Sequence, residues 1–140
     1  MSTVYHNEYT VIRDDYTGAG KVSSKIKKTL NELGVEAKTI RNISVACYEA
    51  EINMIIHAYG GTITLDIFDD GFIELNFNDL GPGIPDIEKA MNPGFSTANE
   101  KARALGFGAG MGLPNIKRVS DEFHIESSEE GTKLKLRFRA

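Results

Sequence analysis

The chain contains a single cysteine, only four prolines in 140 residues and no long uninterrupted apolar stretch. Cys47 on its own cannot close an internal disulfide, which fits a reducing compartment. The apolar runs fall well short of the ~20 residues that a membrane span requires, and the N-terminus lacks a charged-then-apolar leader. These absences predict a cytoplasmic protein with no membrane partner. Positive charge is also short: 16 Lys and Arg stand against 20 Asp and Glu, for a net charge of −4. With no basic stripe to displace phosphate counterions, nucleic acid is excluded as the main partner.

What is present suffices for one core. A 41% hydrophobic content over residues 1–140, without linker or repeat, predicts a single domain. A strand around Tyr9 to Ile12 leads into a polar turn. Val22, Ile26, Leu30 and Leu33 then recur at helical spacing until Gly34 stops them. A longer helix is predicted from about Glu36 to Ala58, with Ile40, Ile43, Cys47, Ala50 and Met54 as its apolar stripe, ending at Gly60-Gly61. Strict alternation then marks a hairpin, Ile63, Leu65 and Ile67 followed by Ile73, Leu75 and Phe77 across Asp69-Asp70-Gly71. A second hairpin pairs Phe123 and Ile125 with Leu134, Leu136 and Phe138 across Glu129-Glu130-Gly131. Strands with one polar face predict an α+β fold: a two-layer sandwich whose mainly antiparallel sheet is covered on one face by helices.

Glycine is concentrated where the periodicity fails. Between the hairpins, about 40 residues hold Gly81-Pro82-Gly83, a short helical pattern from Asp86 to Met91, and a run with glycine at 106, 108, 110 and 112. Pro114 follows that run and suits the first turn of a helix, so the run reads either as a flexible loop or as a phosphate cradle feeding a helix N-terminus. It is neither common nucleotide loop. The dinucleotide pattern would need glycine at Met111 or Leu113. The phosphate-loop pattern fails at Gly20-Lys21, where Val22 follows and Asp15 replaces the first glycine.

On the second helix, Glu49, Asn53 and His57 are four apart and share one face, drifting about 40° per step. Glu51 points the opposite way and reads as a solvated surface carboxylate. Asn53 is a poor helix former set among Ile52, Met54, Ile55 and Ile56; it either bonds a neighbouring loop or supplies an oxygen to magnesium, with Glu49 as a base. His57 reads as a satisfied, partly buried histidine. Asp79 ends a strand before Leu80-Gly81-Pro82-Gly83, where it either caps the turn or accepts a hydrogen from an exocyclic amine.

Together, Glu49-x-x-x-Asn53 on a helix, Asp79-x-Gly81-x-Gly83 after a strand, Gly110-x-Gly112 before a helix and a late Gly131-Thr132 resemble the boxes of the GHKL ATPase superfamily. Within it, the chain is similar to the anti-sigma regulatory factors with serine/threonine kinase activity, including switch kinases of the bacterial stress response. The likeness spans nearly the whole chain. It implies ATP and Mg²⁺ as cofactors, with Asn53 as the metal ligand and Glu49 as the base toward the attacking hydroxyl. It implies that Asp79 accepts the adenine amino hydrogen with the help of a water that Thr132 also holds. Gly81 and Gly83 would let the base approach, and Gly108, Gly110 and Gly112 would donate N–H groups to phosphate. Residues from about 92 to 109 would form an ATP lid in which Lys101 or Arg103 reaches the γ-phosphate.

The chain departs from the pattern in its longer glycine spacing, which assigns Gly106 and Gly108 to a lid hinge, and in carrying no sensor, receiver or histidine-acceptor module. The resemblance therefore implies a free-standing kinase of a small antagonist protein with a phosphorylatable Ser or Thr. The alternative is a nucleotide-dependent switch that sequesters a sigma factor or activates a phosphatase. A plain ATP hydrolase is a third reading, and a homodimer is a family expectation.

Overall fold

The computed structural model describes residues 2–81, 91 and 112–140. Among these residues, five strands and three α-helices follow in the order β1 (Thr3–Val11), α1 (Lys21–Glu32), α2 (Ala37–His57), β2 (Gly61–Phe68), β3 (Phe72–Asp79), α3 (Gly112–Val119), β4 (Glu122–Ser128) and β5 (Gly131–Arg139). A single 3₁₀ turn at Tyr16–Gly18 links β1 to α1. The sheet order is β1-β2-β3-β5-β4, with every pairing antiparallel.

The alternation read from sequence sets which side of each strand is buried. Leu65, Leu75, Leu136 and Phe123 stand in one cross-strand row, and Ile63, Phe77, Leu134 and Ile125 in the next. These rows face α1, α2 and α3, whose Ile26, Leu30, Ile43, Cys47, Leu113 and Ile116 complete one core. Burial pushes the Cys47 thiol far above its usual range, so it packs as a small apolar group. Among the described residues no helix covers the other sheet face, which is mainly polar. His6, Asp66, Glu74, Arg137 and Glu122 align across all five strands, joined by a 2.6 Å hydrogen bond between His6 and Asp66 and by ion pairs of 3.4 and 3.5 Å from Arg137 to its two neighbours.

Two readings need correction. Leu33 closes α1 as its cap and is 52% exposed, because Gly34 at φ 76° turns the chain away one residue later. Glu51 is not solvated: it is 2% exposed, and its carboxylate accepts from the Ser23 N–H at 2.9 Å and the Val22 N–H at 3.3 Å. Gly20, the residue before α1, offers no side-chain cap, and the first amides of α1 are satisfied from α2 instead. The acceptor at the Gly20-Lys21 helix start is thus the protein's own carboxyl, which agrees with the failure of the phosphate-loop pattern there. Among the described residues no helix is long and apolar enough to cross a membrane.

Candidate functional site

The second helix sets polar side chains beside the core because its stripe is interrupted. Ile43, Ala46, Cys47, Ala50 and Met54 fix one side of α2 in the core, leaving Glu49 and Asn53 half-buried at the edge where α3 packs. A Cβ added at Gly112 would lie 3.0 Å from Asn53 Nδ2 and 3.2 Å from Oδ1, so the first residue of α3 abuts the Asn53 amide with no room for a side chain to intervene. One turn further along α3, Asn115 lies near enough to the Glu49 carboxylate to lower its pKa. The two helices therefore meet in antiparallel register, Gly112 on Asn53 and Asn115 on Glu49. Burial raises the Glu49 pKa, and the nearby Asn115 amide opposes that rise. His57, one turn beyond Asn53, is mostly withdrawn from water, and burial holds its imidazole below the usual pKa and hence neutral.

Asp79 comes from the other layer. It ends β3, paired with Gly61 of β2 and one step beyond the last β3–β5 pair, Asn78 with Lys133, and its Oδ1 accepts the Thr132 N–H at 2.7 Å. Burial raises its pKa, and the Thr132 bond opposes this. The Thr132 hydroxyl is engaged elsewhere, 2.8 Å from Ser127 Oγ. Thr132 therefore meets Asp79 directly through its backbone rather than only through a shared water.

Two turns hold this corner. Tyr59 N–H donates to the carbonyls of Leu80 and Gly81 at 3.3 and 3.1 Å, and Leu80 N–H returns a bond to Gly60 O at 3.1 Å. The exit of α2 is thereby stitched to the Asp79-Leu80-Gly81 turn. Across it, a Cβ at Gly81 would come within 2.8 Å of Glu129 O, and one at Gly131 would overlap the Asp79 carbonyl. Gly131 at φ 150° and Gly81 at φ 43° are in regions that disfavour side chains. Both glycines are thus required by turn-against-turn packing, whatever approaches from outside.

Of the residues singled out in the sequence, Glu49, Asn53, Asp79, Gly81, Gly112 and Thr132 lie in these two clusters, joined by the α2 exit. Gly83, Gly108 and Gly110, the helical pattern from Asp86, Lys101, Arg103 and the lid over about 92–109 lie outside the described residues. Sequence reasoning missed Asn115 and Glu51. A polar residue at a helical step from Gly112 was the only signal for Asn115, and Glu51 gave none, because its partners are backbone amides 28 and 29 residues away.

Among the described residues no group of three or more His, Cys, Asp or Glu is placed to hold a metal ion. Asn53 offers one hard oxygen donor beside the close-packed Gly112. One protein oxygen fits magnesium, which takes its remaining ligands from phosphates and water.

Residues 12–138 match the family model described as the histidine kinase-like ATPase domain. The chain is 35% identical over 124 residues to the serine/threonine-protein kinase RsbT of Bacillus subtilis (strain 168), covering 86% of this chain and 85% of that one. It is 38% identical over 110 residues to the anti-sigma F factor of Caldanaerobacter subterraneus, covering 75% and 73% of the two chains. The RsbU and RsbW domains of a Mycobacterium tuberculosis protein superpose with a TM-score of 0.68 at 18% identity, a likeness of fold that spans 97% of this chain and 32% of that one. The α+β sandwich and the family resemblance read from sequence both hold. Its helix-borne Glu49 and Asn53 and strand-end Asp79 therefore sit in an ATP-using fold, and the chain belongs to the histidine kinase-like ATPase domain family.

Proposed function

We propose that the chain is an ATP-dependent protein serine/threonine kinase whose acceptor is a small regulatory protein of the anti-sigma-factor antagonist type, acting in the cytoplasm to control bacterial transcription. One observation carries this reading: a half-buried Glu49 carboxylate lies one helical turn from Asn53, and both meet the first turn of α3. The acceptor Ser or Thr oxygen attacks the γ-phosphorus, its proton passes to Glu49, and the bond from the γ-phosphorus to the bridging oxygen breaks as ADP leaves. Mg²⁺, when bound through Asn53 Oδ1, offsets the charge on the phosphates. Asp79 accepts the adenine amino hydrogen on the carboxylate oxygen that Thr132 does not use. Gly81 and Gly83 would border the base, and Gly108, Gly110 and Gly112 would give N–H groups to phosphate.

Incubating proteins that co-purify with the chain with labelled MgATP tests this. Label on a partner Ser or Thr, abolished by Glu49→Gln, is expected; partners that stay unlabelled under saturating ATP contradict it. The anti-sigma F factor relatives favour a second reading, a nucleotide-dependent switch that sequesters a sigma factor. Stable ATP-dependent binding of that partner without transfer to any protein would establish it.

A further inference from the structure

We propose that Ser127 is a positioning residue for base recognition: it holds the Thr132 hydroxyl so that the one hydrogen of that group is presented to the adenine ring nitrogen N1. The proposal deepens the reading of Asp79 as the acceptor of the adenine amine and rests on it. The inward face of the sheet carries it. Along β3 the inward positions run Ile73, Leu75, Phe77 and then Asp79; along β5, Phe138, Leu136, Leu134 and then Thr132; along β4, Phe123, Ile125 and then Ser127. Apolar cross-strand rows thus give way, at the end where β3 stops, to a row of one carboxylate and two hydroxyls. Its members are bonded in series. The Thr132 N–H donates to Asp79 Oδ1 at 2.7 Å, and Thr132 Oγ1 lies 2.8 Å from the Oγ of Ser127, its register partner on β4. Thr132 is buried and Ser127 half-buried, so water does not replace this bond at low cost.

The direction of the bond decides what the site can read. A threonine hydroxyl has one hydrogen and two lone pairs, and at 2.8 Å either oxygen can donate. With Thr132 donating to Ser127, both Thr132 and Asp79 would turn only acceptors to a ligand. With Ser127 donating, the Thr132 hydrogen faces the ligand instead, reaching it directly or through one water. The site then offers an acceptor, the Asp79 oxygen that Thr132 does not use, beside a donor, the Thr132 hydroxyl. That pair complements the amine and N1 of adenine. Guanine presents the reverse, an acceptor O6 and a donor N1–H. Ser127 therefore turns a site that reads one atom of the base into one that reads two.

The test measures affinity for MgATP and for the magnesium complex of 1-deaza-ATP, in which a C–H replaces N1, by calorimetry with thermal melts alongside. Wild type is expected to bind 1-deaza-ATP about three- to tenfold more weakly than ATP. Ser127→Ala is expected to weaken ATP by a similar factor and to hold 1-deaza-ATP within about twofold of wild type, because the contact it supports is already missing there. Thr132→Val keeps the N–H bond to Asp79 and removes the hydroxyl. It is expected to weaken ATP at least as far, with the double variant no weaker than Thr132→Val alone. Ser127→Thr, which restores a hydroxyl, is expected to recover most of the loss. A Ser127→Ala that weakens both nucleotides equally and melts lower would be a cross-strand pair that only steadies the sheet, and overturns the proposal. Unchanged ATP affinity in a folded Ser127→Ala overturns it too, and so does wild type that binds the two nucleotides equally well. If Asp79→Asn weakens ATP while Ser127→Ala does not, this proposal alone fails; if Asp79→Asn leaves ATP affinity unchanged, the Asp79 reading falls and takes this one with it.

Discussion

Asp79→Asn separates nucleotide recognition from folding. The substitution keeps the shape of the side chain and its Oδ1, so the 2.7 Å bond from the Thr132 N–H survives. What changes is the second position, where an amide NH₂ replaces a carboxylate oxygen and meets the adenine amine donor to donor. Leaving that amine unpaired carries a penalty of about 1–3 kcal/mol, which is roughly 5- to 150-fold in ATP affinity. Stability moves the other way. Burial raises the Asp79 pKa, so the ionised form is less favourable in the folded chain than in the unfolded one. Its contribution to stability is present with the proton on, below the unfolded pKa, and is lost as pH rises through the folded value. A neutral Asn avoids that loss, and the variant is expected to melt no lower than wild type at neutral pH. Because guanine presents an acceptor where adenine presents its amine, the ATP-to-GTP affinity ratio is expected to fall further than ATP affinity alone. Calorimetric titration with MgATP and MgGTP, alongside thermal melts, measures all three quantities. Unchanged ATP affinity in a fully folded Asp79→Asn would refute the assignment.

Glu49→Gln is expected to leave MgATP affinity within about twofold and lower transfer by roughly 10²- to 10⁴-fold, the usual contribution of a positioned base, as read from single-turnover phosphorylation. Since burial raises the Glu49 pKa, transfer is expected to fall on acidification at a pH above the ordinary carboxylate range; a pH–rate profile flat down to that range would contradict its role as base. Glu51→Ala leaves the Val22 and Ser23 amides at the buried start of α1 without their acceptor, and is expected to destabilise the chain by about 1–3 kcal/mol in urea titrations, with faster hydrogen exchange confined at first to that turn. Gly131→Ala, at φ 150° with its Cβ set on the Asp79 carbonyl, is expected to lower both Tm and ATP affinity, whereas Gly71→Ala, with open space around it, is expected to leave ATP affinity unchanged.

The hairpins and helices were legible because each is a local statement. Period two in residues 63–77 and 123–138 and a stripe every third or fourth residue in α1 and α2 need no knowledge of what lies opposite. The site was legible only where its residues belong to such elements: Glu49 and Asn53 share a face by helical arithmetic alone. Asp79 had two local readings, and the structure uses it in a turn contact while leaving one oxygen for another donor. Glu51 was misread for the complementary reason. Helical spacing says that it points away from Glu49, but not that α1 begins there without a cap of its own. Asn115 was hidden because its place beside Glu49 depends on two helices meeting in register with 54 residues between them, which no window of periodicity can see.

The clasp between Asp79 and Thr132 also bears on how the chain reaches its working state. It joins residues 53 apart, one step past the last pair of the β3–β5 ladder, so it closes only after the slowest kind of contact, non-local strand pairing, has formed in the right frame. A slip of one residue between those strands would turn Asp79 to the other face of the sheet. Collapsed or misregistered chains would thus lack the acceptor proposed here for the base, and on that proposal nucleotide would stabilise only the correctly registered product. ATP would then act on this protein as a proofreader of its own binding sheet, raising the population of the one strand alignment that can hold it.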